Sequence, residues 1–199
     1  MSFRKEKKYR LSQFEFEVLK NDLRSRGMQT FYKKRKINSL YFDTAMLNMF
    51  SDSEEGVLPR KKLRIRWYGL PYEASIETKI SSIEGRFKTT IPRRFNSLES
   101  FPKSIVDQYY GSLTPSLLVS YDREYFLLNG MRFTFDSSIK YINYRHSIQV
   151  VCQDKERVME IKVSADTSND YIESIIPYAT ARFSKYSRGL LISQGKLKF

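Results

Sequence analysis

The 199-residue chain is 41% hydrophobic, which suits a real core and one domain spanning 1–199. Its single cysteine, Cys152, excludes an internal disulfide or a cysteine-based metal cluster, and its single histidine, His146, excludes a multi-histidine metal site. The balance of 35 Lys and Arg against 22 Asp and Glu gives a net charge of +13, which calls for an anionic partner: nucleic acid, an acidic membrane surface or a phosphate-rich substrate.

Turn signals recur between short runs rich in Tyr, Phe, Ile, Val and Thr, the pattern of a strand protein. A first strand is predicted over 3–11. Ser12 and Glu15 have capping-box spacing and start a helix ending near Gly27, with Phe14, Val18, Leu19 and Leu23 as its apolar face. The basic run Lys33-Lys34-Arg35-Lys36 reads as a solvated loop before a second strand at 37–43, and an irregular or short helical stretch leads to Pro59. Strands at 60–68 and 73–80 form a hairpin through Gly69-Leu70-Pro71, and another follows at 86–91. Residues 97–110 read as a helix interrupted at Pro102. Strands resume at 117–128 and 132–136 around Asn129-Gly130, the strongest hairpin signal in the chain, and continue at 148–152 and 158–163. Helices near 171–176 and 187–194 close the chain, for a total of roughly eight strands and a few helices. The apolar run before Cys152 predicts a buried thiol, and His146 is expected to be buried too. The N-terminus has no apolar signal core and no run approaches the ~20 apolar residues of a membrane span, so the expectation is a soluble protein of the reducing cytoplasm.

Successive strand residues face opposite sides, so cations two apart mark one surface. In Lys62-Leu63-Arg64-Ile65-Arg66-Trp67 three cations share one face and three apolar side chains the other. The split recurs, weakly, in Arg86, Lys88 and Thr90 against Phe87 and Ile91, and clearly in Arg132, Thr134 and Asp136 against Phe133 and Phe135. Glu160 aligns with Lys162, Glu77 with Lys79, and Arg4 with Glu6 and Lys8. A wetted outer face explains any one strand. Six such strands together favour an inverted barrel, in which charges line a tunnel filled by a polyanion and apolar outer faces pack under helices. The predicted fold is therefore α+β, mainly β: a closed antiparallel eight-stranded β-tunnel with a basic interior, flanked by a few helices. Such a tunnel suits a phosphate chain, because Arg binds phosphoryl oxygens as a fork and Lys as a point charge. No nucleic acid is expected, since duplex would not fit inside and the aromatics lie mostly on the opposite parity from the cations.

These strands resemble the VTC domain, the polyphosphate polymerase domain of the triphosphate tunnel metalloenzyme (CYTH-like) superfamily. Arg4-Lys5-Glu6-Lys7-Lys8-Tyr9 is similar to the family's opening Arg-x-Glu-x-Lys-Tyr, and Tyr41-Phe42-Asp43-Thr44 to its Tyr-Phe-Asp-Thr strand. The 60–69 segment resembles its Lys-x-Arg-x-Arg-x-Tyr-Gly strand. Glu77-Thr78-Lys79, Lys88, Tyr121-Asp122-Arg123, the 132–136 strand, Glu160-Ile161-Lys162 and Phe183-Ser184-Lys185-Tyr186 follow in the family's order.

The resemblance implies a metal-dependent polymerase that moves the γ-phosphoryl group of ATP onto inorganic polyphosphate. Lys8, Arg64, Arg66, Arg123, Arg132 and Lys185 are the implied catalytic set. Lys62, Lys79, Lys88 and Lys162 are further phosphate-binding residues. Glu160, with Glu6 as a weaker second, would hold Mn²⁺ or Mg²⁺. The hydrolase branch of the superfamily opens with Glu-x-Glu-x-Lys, and Arg4 at the first of those places favours the polymerase branch. No phosphate-sensing SPX region precedes Arg4 and no membrane segments follow Phe199, so a stand-alone domain is expected. The alternatives on the same fold are a hydrolase of tripolyphosphate or nucleoside triphosphate, and a polyphosphate-binding module without turnover. Glu160→Gln is expected to impair turnover and leave stability nearly intact.

Overall fold

The computed structural model describes residues 4–70, 73–146 and 149–197, with the side chain of Arg4 left out; the expectations placed on Phe3, on that side chain, on Pro71 and on Ile148 lie outside the described residues. The chain forms β1 (Arg4–Leu11), α1 (Gln13–Ser25), β2 (Gln29–Asp43), α2 (Asn48–Glu55), β3 (Arg60–Tyr68), β4 (Glu73–Ser82) and β5 (Gly85–Arg94). After a short 3-10 turn at Leu98–Ser100 come β6 (Ile105–Asp107), β7 (Gly111–Leu128), β8 (Met131–Asn143), β9 (Val151–Gln153), β10 (Arg157–Ser164), α3 (Asn169–Ile175) and α4 (Lys185–Ser193). The fold is mainly β with antiparallel pairing. The strands follow one another in the order β1-β10-β8-β7-β2-β3-β4-β5, with β6 on β7 and β9 on β8.

Two compact units make up the chain: the first holds 1–35, 121–139 and 154–183, the second 36–120, 140–153 and 184–199. In the first, α1 starts at the expected capping box: Ser12 Oγ accepts from Glu15 N at 3.2 Å, and Ser12 N donates to Glu15 Oε2 at 2.7 Å. The buried face of the helix is Phe16, Leu19, Lys20 and Leu23, spaced i, i+3, i+4, i+7. Phe14, 78% exposed, and Val18, 44% exposed, were expected to pack and instead face water. Lys20 takes a place in the apolar face because its ammonium lies 2.5 Å from Glu124 Oε2 and within 6 Å of the Phe16 and Phe126 rings. Phe16 meets Phe135 edge-on at 5.1 Å, joining the helix to a core of Tyr9, Leu11, Phe133, Met159 and Ile161.

In the second unit, Leu63, Ile65 and Trp67 are buried on alternate positions of β3, and they join Leu40, Phe42, Met49 and Phe101 in the core. Gly189 of α4 has no room for a side chain, since a Cβ would collide with the Tyr141 and Leu117 side chains.

Several expectations are corrected. The helix expected over 97–110 is a 3-10 turn followed by β6. Pro102 biases its predecessor away from helix, and Asp107 Oδ1 accepts from Tyr109 N at 3.0 Å and Tyr110 N at 3.1 Å, closing a turn instead. The basic run 33–36 lies in a strand because β2 starts at Gln29, where Lys34 pairs with Asp122 at 3.1 Å and Tyr32 meets Tyr125 edge-on at 5.8 Å. Phe87 and Ile91 are half exposed, β5 being an end strand with one neighbour. His146 is exposed, and Cys152 is only partly buried beside exposed Val150 and Val151.

Candidate functional site

In the second unit the polar face of β3 carries Lys62, Arg64 and Arg66, as the alternation predicts. The antiparallel register sets Arg64 opposite Tyr41 on β2 and Glu77 on β4, and Arg66 opposite Ser39. Glu77 is the hub. Its Oε2 accepts from Arg64 Nε at 2.8 Å and lies 3.8 Å from Arg66 Nη1, while its Oε1 accepts from Lys88 Nζ at 2.7 Å. Burial pushes this carboxyl up, but Arg64, Arg66 and the Lys88 hydrogen bond outweigh it and hold the pKa at about 2.

Arg64 Nη1 also donates to Tyr41 Oη at 2.7 Å. Burial raises the Tyr41 pKa, yet the charges of Arg64, Arg66 and Lys62 bring it down to about 8. The Tyr41 ring stacks on Tyr186 at 4.7 Å, and the Tyr186 hydroxyl donates to the buried Asp43 Oδ2 at 2.6 Å. Asp43 also accepts from the Met49 and Phe50 amides at 3.0 Å, where α2 begins. Tyr41, Tyr186 and Asp43 thus form a rigid backing for Arg64.

Beside this hub, register sets Lys62 opposite Lys79 and Lys79 opposite Lys88, three cations in a row across β3, β4 and β5. Lys62 Nζ donates to Ser184 Oγ at 2.9 Å, and Ser184 caps α4, whose first residue is Lys185.

In the first unit, register pairs Lys8 with Glu160 and Glu6 with Lys162 across β1 and β10, and Lys162 with Arg132 across β10 and β8. Lys162 Nζ lies 3.2 Å from Glu160 Oε1 and Lys8 Nζ 3.9 Å from Glu160 Oε2, and Glu6 is a neighbour of the same carboxylate. Burial raises the Glu160 carboxyl, and Lys8, Arg123 and Lys162 overcome it and hold it well below the usual range. Arg123 forks onto the buried Asp136, Nε to Oδ1 at 2.5 Å and Nη2 to Oδ2 at 2.6 Å. Burial alone would lower the Arg123 pKa; the charge of Asp136 raises it well above its ordinary value.

The twelve residues singled out in the sequence fall into two groups: Lys62, Arg64, Arg66, Lys79, Lys88 and Lys185 in the second unit, and Glu6, Lys8, Arg123, Arg132, Glu160 and Lys162 in the first. Glu77 and Tyr41 lie within the sequence motifs, and neither has a role assigned by those motifs. The signal for Glu77 was its place two residues before Lys79; that for Tyr41 was only its motif.

The sequence pattern of the VTC domain matches residues 3–112 and 96–193. The chain belongs to the VTC domain family. Solved structures share the fold at low identity. A candidate adenylate cyclase from Bacillus halodurans is 14% identical, with a TM-score of 0.59 over 92% of this chain and 94% of that one. A candidate adenylyl cyclase from Hippeastrum, described as having a dominant triphosphatase activity, is 16% identical, with a TM-score of 0.57 over 98% of each chain. A conserved Pyrococcus furiosus protein without assigned function is 12% identical, with a TM-score of 0.54 over 92% of this chain and 99% of that one. No curated protein matches the sequence.

Among the described residues of this VTC domain, no three His, Cys, Asp or Glu side chains gather as a metal cage. The neighbouring carboxylates of Glu160 and Glu6 are an all-oxygen donor set, which fits an ion that completes its shell with water and phosphate oxygens, as Mg²⁺ does. No helix among the described residues is long and apolar enough to cross a membrane.

Proposed function

We propose that this VTC domain, taking 1–199 as one domain, is a metal-dependent polyphosphate polymerase that extends inorganic polyphosphate from ATP. The observation that carries this reading is the row Lys62, Lys79 and Lys88, directly opposed across three strands. Like charges so placed destabilise a sheet, and a polyanion bound over them would offset the repulsion. Arg64 and Arg66, oriented by Glu77, donate hydrogen bonds to non-bridging phosphoryl oxygens, as do Lys8, Arg132 and Lys162 in the first unit. Lys185 adds positive charge at the start of α4. Arg123 contributes charge while its fork stays on Asp136.

A terminal oxygen of the polymer forms the new bond to the γ-phosphorus as the bond from that phosphorus to the β,γ-bridging oxygen breaks, and ADP leaves. The attacking oxygen is already an anion, so no proton has to be removed. This suits the carboxylates of the two units, Glu77 and Glu160, which are strongly ionised and therefore weakly basic. Glu160 and Glu6 would hold Mg²⁺ or Mn²⁺, which when bound neutralises charge on the phosphoryl oxygens.

Incubation of pure protein with ATP and Mn²⁺ is expected to yield a phosphate polymer resolved on a gel, and Arg64→Ala to lower its rate at least ~100-fold. No polymer from the wild type, or an Arg64→Ala variant as active as wild type, would reject the reading. The second reading, hydrolysis of tripolyphosphate or nucleoside triphosphate, is favoured by the triphosphatase activity described for the Hippeastrum protein. Orthophosphate released without polymer selects it, and tight binding without turnover selects a binding module.

A further inference from the structure

Residues 29–36 of β2 are exposed at every position, on both faces of the strand. The segment interleaves cations with rings. Phe31, 39% exposed, and Tyr32, 48% exposed, lie with ring centroids 4.2 Å apart. The Arg35 guanidinium sits 5.4 Å from the centre of the Tyr32 ring and 5.8 Å from that of Tyr125, and Tyr32 meets Tyr125 edge-on. Lys33 and Lys34 flank the rings, with Lys34 also paired to Asp122. Phe31 to Arg35, Asp122 and Tyr125 all belong to the first unit, and none is in the phosphate-binding set above.

A solvated loop would have kept such a run polar and mobile. Here a strand fixes the run: the Arg35 guanidinium packs on Tyr32 and Tyr125, and Phe31, against Tyr32, stays with it partly in water. Charge alone does not call for these rings, and a bare phosphate chain has nothing to stack on them. The geometry points to a sequence-tolerant site for single-stranded nucleic acid, in which the faces of Phe31 and Tyr32 take bases while Lys33, Lys34 and Arg35 take phosphates. This site is independent of the proposed phosphoryl transfer.

Any chain of charge +13 attracts polyanions, so the test isolates stacking. Fluorescence anisotropy would compare a labelled oligo(dT) of about twelve nucleotides with an abasic strand of equal length. Oligo(dT) is expected to bind about tenfold more tightly than the abasic strand. Tyr32→Ala should abolish that difference and Tyr32→Phe retain it. Arg64→Ala should leave it unchanged, and Tyr32→Ala should leave ATP turnover unchanged, so loss of one function is distinguishable from loss of the other. Equal wild-type affinity for the two strands, a measurement that needs no variant, overturns the inference. So does a preference of the wild type for phosphatidylserine vesicles with no dependence on bases.

Discussion

Glu77 is 6% exposed, and its neighbours Arg64, Arg66 and Lys88 make it the residue on which the second unit's charges turn. Its pKa in the folded chain, about 2, lies below the ordinary 4.5, so the folded state binds fewer protons than the unfolded one between those values. The stability it contributes is therefore complete above the ordinary value and is lost as pH falls toward the folded one. Glu77→Gln is expected to cost about 2–3 kcal/mol at neutral pH, the lower side of a broken buried pair because Lys88 is half in water, and to flatten the fall in stability below about pH 5. Urea unfolding along a pH series measures both, and an unchanged acid slope would contradict the assignment. Glu160 is likewise buried beside two ammonium groups, so Glu160→Gln is expected to lower stability, contrary to the expectation from sequence, as well as to impair the proposed turnover.

At the scale of the element, β3, β4 and β5 differ in how well their faces could be read. On β3 the alternation of cation and apolar residue is strict and the burial follows it. On β5, an end strand with β4 as its neighbour, the same alternation has no consequence for burial, and nearly every position is exposed. The aligned lysines of these strands give a direct expectation. Lys79→Gln removes the middle member, so it should weaken tripolyphosphate binding and make that binding less sensitive to salt. Unchanged tripolyphosphate affinity and salt dependence would show that this row does not face the phosphate chain. The 97–110 segment failed as a helix prediction because periodicity over a short, Pro-containing run cannot outweigh the local turn that Asp107 closes.

For the molecule as a whole, a net charge of +13 means that like-charge repulsion opposes folding in dilute buffer. Raising salt from about 20 to 200 mM should therefore raise Tm in the absence of ligand, as the screening length shortens. Tripolyphosphate at ~100 times its low-salt Kd should add about 2.7 kcal/mol, and at that same concentration the gain should shrink as salt is raised. Orthophosphate at matched ionic strength should give little of it; an equal gain from orthophosphate would mean that the chain of phosphates is not what the VTC domain recognises. Differential scanning fluorimetry reads all three.

The sequence by itself determined the strand-rich fold, the charged face of β3, the capping box of α1 and the membership of the VTC domain family. Each of these is written in neighbouring residues or in the order of short motifs. Period-two alternation reveals which side chains share a face, since that depends only on backbone geometry. It does not reveal what lies across the strand. That Glu77 gathers three cations, that Tyr41 backs Arg64, that Lys20 can be buried and that 29–36 is an exposed strand all depend on register between segments far apart in the chain. Those energies arise only when the segments meet, so the tertiary structure alone decided them.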